Sequence, residues 1–354
     1  MFKKGLIVVG VLAIIGVAVG WKHIGAFFNG RTSSANAKAT RVAVDNRKSL
    51  KEIAETFKTA GVVDDVDAFL SLAEYKELTN AKIGSGMYEI QPGTNYRTLL
   101  NGLTLNSSGN GNAEIEVLVT FNNCKTIHDL CVKVASCIMV DSTELEEYIT
   151  NSETLNKYGF TLEQIPALFM PNTYKMFYDT SKEAFLERMA KEFKNFWTPA
   201  RMEKLKAVGL KSPSQAVTLA SIVYGEQSKN ASEWPIIARL YLNRLNTGMK
   251  LQSDPTFKFC WGDQLEGVQR LTYEHRNKDC PYNTYLYNGL PPGPISMPPT
   301  GVVEAVLSPD NNDYIYMCAQ PNYDGLHNFA KDYADHAKYA AEFQKWLAAE
   351  IANN

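Results

Sequence analysis

The sequence predicts an α+β protein: a single N-terminal membrane helix, a small α+β region, and then a larger, mixed α/β region. Three observations predict this. One uninterrupted apolar run, Gly5–Gly20, opens the chain. Strand-like and helix-like stretches then take turns as far as residue 150, and long helical stretches follow. With 354 residues the chain can form two domains with cores of their own. The expected divisions are 1–28 for the membrane segment, 29–40 for a linker, and 41–150 and 151–350 for the two folded regions.

Composition narrows the function classes. Hydrophobic residues make up 45% and charged residues 21%, the balance of an ordinary globular protein, so global disorder is excluded. The formal net charge of -2 supplies no basic field for nucleic acid. HExxH, paired CxxC, Walker A and GxGxxG patterns do not occur, so no metal and no cofactor are expected.

In chain order, GLIVVGVLAIIGVAVG is flanked by Lys3 and Lys4 before it and by Trp21, Lys22 and His23 after it. Roughly 17 to 20 apolar residues span a bilayer, and Trp21 suits the interface. A cleaved signal peptide, with Ala18 and Gly20 as its small residues, is the rival reading. Either way the bulk of the chain is expected outside the cytoplasm. Residues 29–38, NGRTSSANAK, are small and polar, as in a linker.

TRVAVD alternates as a short strand, and SLKEIAETFKTAG reads as a helix capped by Ser49 and closed by Gly61. DDVDAFLSLAEY is a second helix. SGMYEIQPGTNYRTLLNGL gives a strand, a Pro92-Gly93 turn and a third helix, and NGLTLNSSGNGN (101–112) is a loop. AEIEVLVTF is read as one alternating strand before the helix TIHDLCVKVASCI. Beyond residue 150 come the aromatic stretch ALFMPNTYKMFYDTS and the helix KEAFLERMAKEFKNFW.

The stretch LASIVYGEQSK carries the chemistry. Ser212-Pro213-Ser214-Gln215 predicts a capping box with Pro at the first helical position. Leu219, Ile222, Val223 and Glu226 then fall on one helical face, so a carboxylate sits on an apolar side. A second helix is expected from Ser232 to Gly248, forming a hairpin with the first. Burial would raise the pKa of Glu226, as a general acid near neutral pH requires. The structural alternative is a core carboxylate paired to Arg239 or Arg244. Downstream, NRLNTGMKLQSDPTFKF and CPYNTYLYNGLPPGPISMPP combine amides, hydroxyls and tyrosines with a stiff Pro-Gly loop, a composition suited to sugar rings.

ASIVYGE, NRLNTGMKLQSDPT, PYNTYLYNGLPPGPI, YIYMCA and HNFA together resemble the endolytic murein transglycosylase, or YceG-like, family. MPNTY resembles an upstream family element, with Asn172 in place of Asp. Residues 41–150 resemble the family's LysM-like region, and the apolar segment its single anchor. The resemblance places the catalytic glutamate on Glu226. It implies a catalytic domain at 151–350 that cleaves the β-1,4 bond between N-acetylmuramic acid and N-acetylglucosamine and leaves 1,6-anhydro ends. It also implies a single-pass protein of the bacterial cytoplasmic membrane, acting on peptidoglycan glycan strands in association with cell-wall synthesis proteins. Asn243, Gln252, Asp254, Tyr282, Asn283, Tyr285 and His327 are the candidate substrate-binding residues. His327 also reads as a structural histidine, and Asp254 as a turn or helix-cap carboxylate.

Two departures stand out: Tyr224-Gly225 where the family usually has Glu-Lys, and Leu326 where Gly commonly precedes the histidine. The first leaves a non-catalytic glycan-binding scaffold open, and Asp254 leaves a conventional two-carboxylate hydrolase open. Of the six cysteines, Cys260 and Cys280 end and begin segments that the resemblance brings to one cleft. A disulfide between them is expected, the alternative being two small buried hydrophobes.

Overall fold

The alternation at Thr40–Val44 becomes strand β1, with Val42 and Val44 turned into the core and Arg41 to solvent. A computed structural model describes residues 38–104, 114–265, 268 and 272–353. The proposed membrane segment, most of the linker and most of the 101–112 loop lie outside the described residues. Among those described, no helix is long and apolar enough to cross a membrane. The chain divides into two units. One takes in the described residues up to Val119 with Ser136–Val140 and Tyr174–Ser181; the other holds Thr120–Ala135, Asp141–Thr173 and the chain from Lys182 onward.

In the first unit β1 leads into α1 (Leu50–Thr59) and α2 (Val66–Tyr75), then β2 (Gly86–Ile90) and α3 (Tyr96–Gly102). Each helix starts where its sequence says. Ser49 and Glu52 form a reciprocal capping box on α1, Asp65 caps α2 and Asn95 caps α3. β1 pairs antiparallel with β2, and β2 with the two-residue β3 (Glu114–Ile115). Phe57 and Phe69 meet tilted and Phe69 and Tyr96 edge to face within the buried core, and the Tyr96 hydroxyl accepts from the backbone N–H groups of Asp64 and Asp65.

The single strand expected from AEIEVLVTF is two. β3 ends at Ile115, and β4 (Val117–Phe121) joins a different sheet, with β5 (Asn172–Met176). Alternation runs unbroken through Glu116, so a period of two cannot reveal that the strand changes partners there.

The second unit is mainly helical. α4 (Ile127–Ala135), α5 (Ser142–Thr150) and α6 (Ser152–Tyr158) come first, followed by α7 (Lys182–Phe196), α8 (Pro199–Ala207), α9 (Pro213–Glu226) and α10 (Trp234–Asn246). α11 (Asp254–Trp261), the one-turn α12 (Tyr273–Arg276) and α13 (Thr300–Leu307) follow, then the antiparallel pair β6 (Tyr316–Ala319) and β7 (His327–Ala330), and α14 (Tyr333–Asn353). Small sheets and many helices make the described chain α+β.

α9 is the core of this unit. Ser214 and every residue from Ala216 to Val223 are buried, against α8, α10, α11 and α13. The one-face reading of that stretch is therefore too narrow: the helix is enclosed all round, and its polar residues are satisfied internally. The Thr218 hydroxyl donates to the Ser214 carbonyl, and the Ser221 hydroxyl to that of Thr218. Its start also differs in one detail. Ser212 accepts from the Gln215 N–H as expected, yet the Gln215 side chain accepts from the N–H of Lys211, not of Ser212. The result is a one-sided cap extended by a residue.

Candidate active site

α9 delivers Glu226 as its final helical residue, and Gln227 turns out of the helix with extended φ and ψ. The short connection QSKNA then returns the chain through a 3₁₀ turn to α10, which begins at Trp234 with Pro235 in its first turn. Gln227 organises this corner. Its amide donates to Glu233 and to the Gly325 carbonyl, its side-chain oxygen accepts from Lys229 N and Asn230 N, and its carbonyl accepts from the Trp234 indole.

Neither Arg239 nor Arg244 pairs with Glu226. Arg239 donates to the Asp310 carbonyl, and Arg244 to the carbonyls of Ile315 and Leu251. Instead one carboxylate oxygen, Oε1, accepts from the Tyr241 hydroxyl at 2.7 Å and from the Ser253 hydroxyl at 2.5 Å. The Glu226 residue keeps some contact with solvent, yet protein atoms crowd its carboxyl closely, and this desolvation raises its pKa. The Asp254 charge pushes the same way, while the two hydroxyl bonds and His327 oppose it.

Tyr241 and Ser253 are functional candidates that the sequence reading missed. Tyr241 lies 1% exposed on α10, and burial holds its phenol well above the ordinary range, so it remains a donor. A tyrosine on the buried face of a helix needs an acceptor, and that requirement was the available signal. Ser253 is fully buried just before α11. Its N–H donates to the Thr284 hydroxyl, and Gln252 N–H donates to the Thr284 carbonyl. Thr256 and Thr284 share a hydroxyl contact of 2.8 Å, which locks the QSDPT and YNTY segments together.

The other candidates divide by position. Asp254 is the first residue of α11 and accepts from the Tyr285 hydroxyl at 2.5 Å. Burial first, then Asp254, raises the Tyr285 pKa. Gln252 is exposed with φ of 50°, an uncommon backbone for a residue with a Cβ. Tyr282 packs on Phe259 with ring centres 4.6 Å apart, and burial pushes its phenol up to about 12. Asn243 and Asn283 face inward in different places. Asn243 donates to the carbonyls of Asn312 and Tyr314; Asn283, fully buried, donates to those of Arg276 and Lys278.

His327 belongs to a second polar knot. Glu233, 5% exposed, accepts the His327 backbone N–H on one oxygen and contacts His327 Nδ1 at 2.8 Å with the other. The same oxygen accepts from Gln227. Glu233 and Gln227 escaped the sequence reading because SEWP and EQSK carry the signature of a polar turn.

Two glycines permit close approaches. A Cβ on Gly225 would lie 2.8 Å from Pro255 Cβ, so the Tyr224-Gly225 departure lets α11 seat against the end of α9. Tyr224 itself donates to Asn123 and meets Trp234 edge to face. In PPGPI, a Cβ on Gly293 would stand 1.8 Å from the Glu163 carbonyl oxygen. Ile295 N–H donates to Ser221 on α9, which anchors that loop beside the site. Cys260 and Cys280 form a disulfide with Cα atoms 6.1 Å apart, joining the last turn of α11 to the start of PYNTY.

A family model described as the YceG-like family matches residues 42–342. The chain belongs to the YceG-like family. Relatives within reach of this YceG-like chain include a Bacillus subtilis (strain 168) protein named endolytic murein transglycosylase, 26% identical over 331 residues and covering 89% of each chain. A protein of the same name from Streptococcus pneumoniae serotype 2 (strain D39 / NCTC 7466) is 24% identical, over 87% of this chain and 59% of its own length. The crystal structure of a YceG-like protein from Listeria monocytogenes shares the fold, with a TM-score of 0.54 at 23% identity over 86% of this chain and 99% of that one.

Proposed function

We propose that this YceG-like protein is a lytic murein transglycosylase that uses Glu226 as a single acid/base. The observation that carries the reading is a carboxyl group with a raised pKa, held by two buried hydroxyls at the junction of α9, α10 and α11. The names of the curated relatives support the substrate. In this reaction Glu226 gives its proton to the glycosidic oxygen as the bond from muramyl C1 to that oxygen breaks. The resulting carboxylate takes the proton of the muramyl 6-hydroxyl as O6 bonds to C1. No water is consumed, and the glycan ends in a 1,6-anhydro ring. An internal nucleophile has a high effective molarity, which makes a second catalytic carboxylate unnecessary.

Asp254 motivates the second reading, a hydrolase with two carboxylates, because its charge acts on Glu226. Its bond from Tyr285 favours a positioning role instead. Mass spectrometry of digested glycan strands separates the readings. Anhydro ends are expected; reducing ends would favour the hydrolase, and intact strands a binding scaffold.

The β-α-α-β order of the first unit supports a LysM-like role for 41–150, and Gly5–Gly20 supports a single anchor that holds the catalytic domain outside the cytoplasmic membrane. Cleavage within new strands, alongside cell-wall synthesis proteins, completes the reading. Protease added to spheroplasts should degrade the folded regions, and a mature N-terminus at Trp21 would replace the anchor with a signal peptide.

A further inference from the structure

The two oxygens of Glu226 are not equivalent. Oε1 accepts from both Tyr241 and Ser253. Among the described residues no donor reaches Oε2, and Oε2 is not a sealed atom lacking a partner. Both hydroxyls are themselves enclosed, Tyr241 at 1% exposure and Ser253 at 0%. A proton on Oε1 would meet two O–H groups already pointing at that oxygen, and would force a buried hydroxyl to turn away from its acceptor. A proton on Oε2 disturbs nothing.

We propose that Tyr241 and Ser253 are positioning residues that fix the acid proton of Glu226 on Oε2, leaving Oε1 as the permanent carbonyl-type acceptor. This rests on the reading of Glu226 as the general acid and extends it to the level of atoms. The glycosidic oxygen then approaches Oε2, and the muramyl 6-hydroxyl returns its proton to that same oxygen. The hydroxyl pair comes from two elements, α10 and the segment before α11, so it also sets the plane of the carboxyl group. The other titratable groups bearing on Glu226 are Asp254 at the start of α11, Tyr285 in the loop packed against it, and His327 on β7.

Two readouts test the assignment in Tyr241→Phe, Ser253→Ala and Glu226→Gln forms of the whole protein acting on glycan strands. The first is the pH profile of kcat/KM. The acid must be protonated to act, so activity falls as pH rises through its titration. Both hydroxyl bonds favour the carboxylate; losing either should move the alkaline limb upward by about one pH unit, the scale of a hydrogen bond to a charged group. The second is the infrared C=O stretch of the protonated acid, identified by its absence in Glu226→Gln. It should rise in frequency in both hydroxyl variants, because the carbonyl oxygen has lost a donor. An unmoved stretch in folded Tyr241→Phe and Ser253→Ala would place the proton on Oε1 and overturn the proposal, as would an unmoved limb. Full activity in Glu226→Gln would overturn the general-acid reading instead, so the two failures are distinguishable.

Discussion

Gly225 and Pro255 touch so closely that α9 and α11 can meet only where the first of them has no side chain. The contact lies one residue from Glu226 and one from Asp254, so it fixes the spacing between the end of one helix and the start of the other. Gly225→Ala should push Pro255 away and stretch the Ser253 bond to Glu226. We expect about 1–3 kcal/mol of lost stability, the usual cost of overpacking, together with at least about a tenfold fall in turnover. Denaturant melts and steady-state rates on glycan strands check both.

Glu226→Gln keeps the shape and the Oε1 acceptor but cannot exchange a proton. Anhydro-product formation should fall by about 100-fold or more, the usual scale of general acid–base work. Near-wild-type turnover in a mass-spectrometric assay would move the acid elsewhere.

The same variant should be more stable than the wild type in alkaline solution. Burial raises the folded-state pKa of Glu226 above its unfolded value. The folded state therefore holds its proton longer, and the stability this lends is complete at low pH and lost as pH rises through the folded pKa. Glutamine does not titrate. Thermal melts of the two proteins should agree better in acid and separate as the pH rises, with Glu226→Gln the higher. Curves that stay parallel would contradict the shift.

Glu233→Ala should destabilise the second unit by roughly 3 kcal/mol, because His327 and Gln227 would each lose a buried partner. Glu233→Gln, which keeps an acceptor, should cost less. Melting temperatures equal to that of the wild type in both variants would mean that the knot contributes nothing.

Reduction of the Cys260–Cys280 bridge opens a loop of 20 residues. The chain-entropy model values such closure at roughly 3 kcal/mol. Cys260→Ser should therefore melt well below the oxidised wild type and match the reduced wild type. An unchanged melt on adding reductant would show that the bridge constrains little.

Much of this was legible in the sequence because it is local. Ser49, Asp65, Asn95 and Ser212 cap the helices that their neighbours predict, since capping is decided within four residues. Glu226 stood out as a carboxylate among apolar residues. Its partners did not, because Tyr241 and Ser253 reach it from 15 and 27 residues away and only packing decides which hydroxyls meet it. Asn243 and Asn283 illustrate the converse: amides in a sugar-like composition spend their hydrogens on backbone carbonyls once folded. The sheet change at Glu116 was invisible for a different reason, since both strands obey the same alternation.

Glu226 is the last residue of α9 and not the first. The aligned peptide dipoles of a helix leave partial negative charge at that end, worth about 0.3–1 kcal/mol against a carboxylate in the final turn. The backbone thus acts on the group as the neighbouring Asp254 does, with no side chain that mutation could remove. Transplanted to the opening turn of the same helix, an identical glutamate would meet free N–H groups and the positive pole, and would surrender its proton more readily. The direction in which α9 runs therefore helps to hold the proton on Glu226.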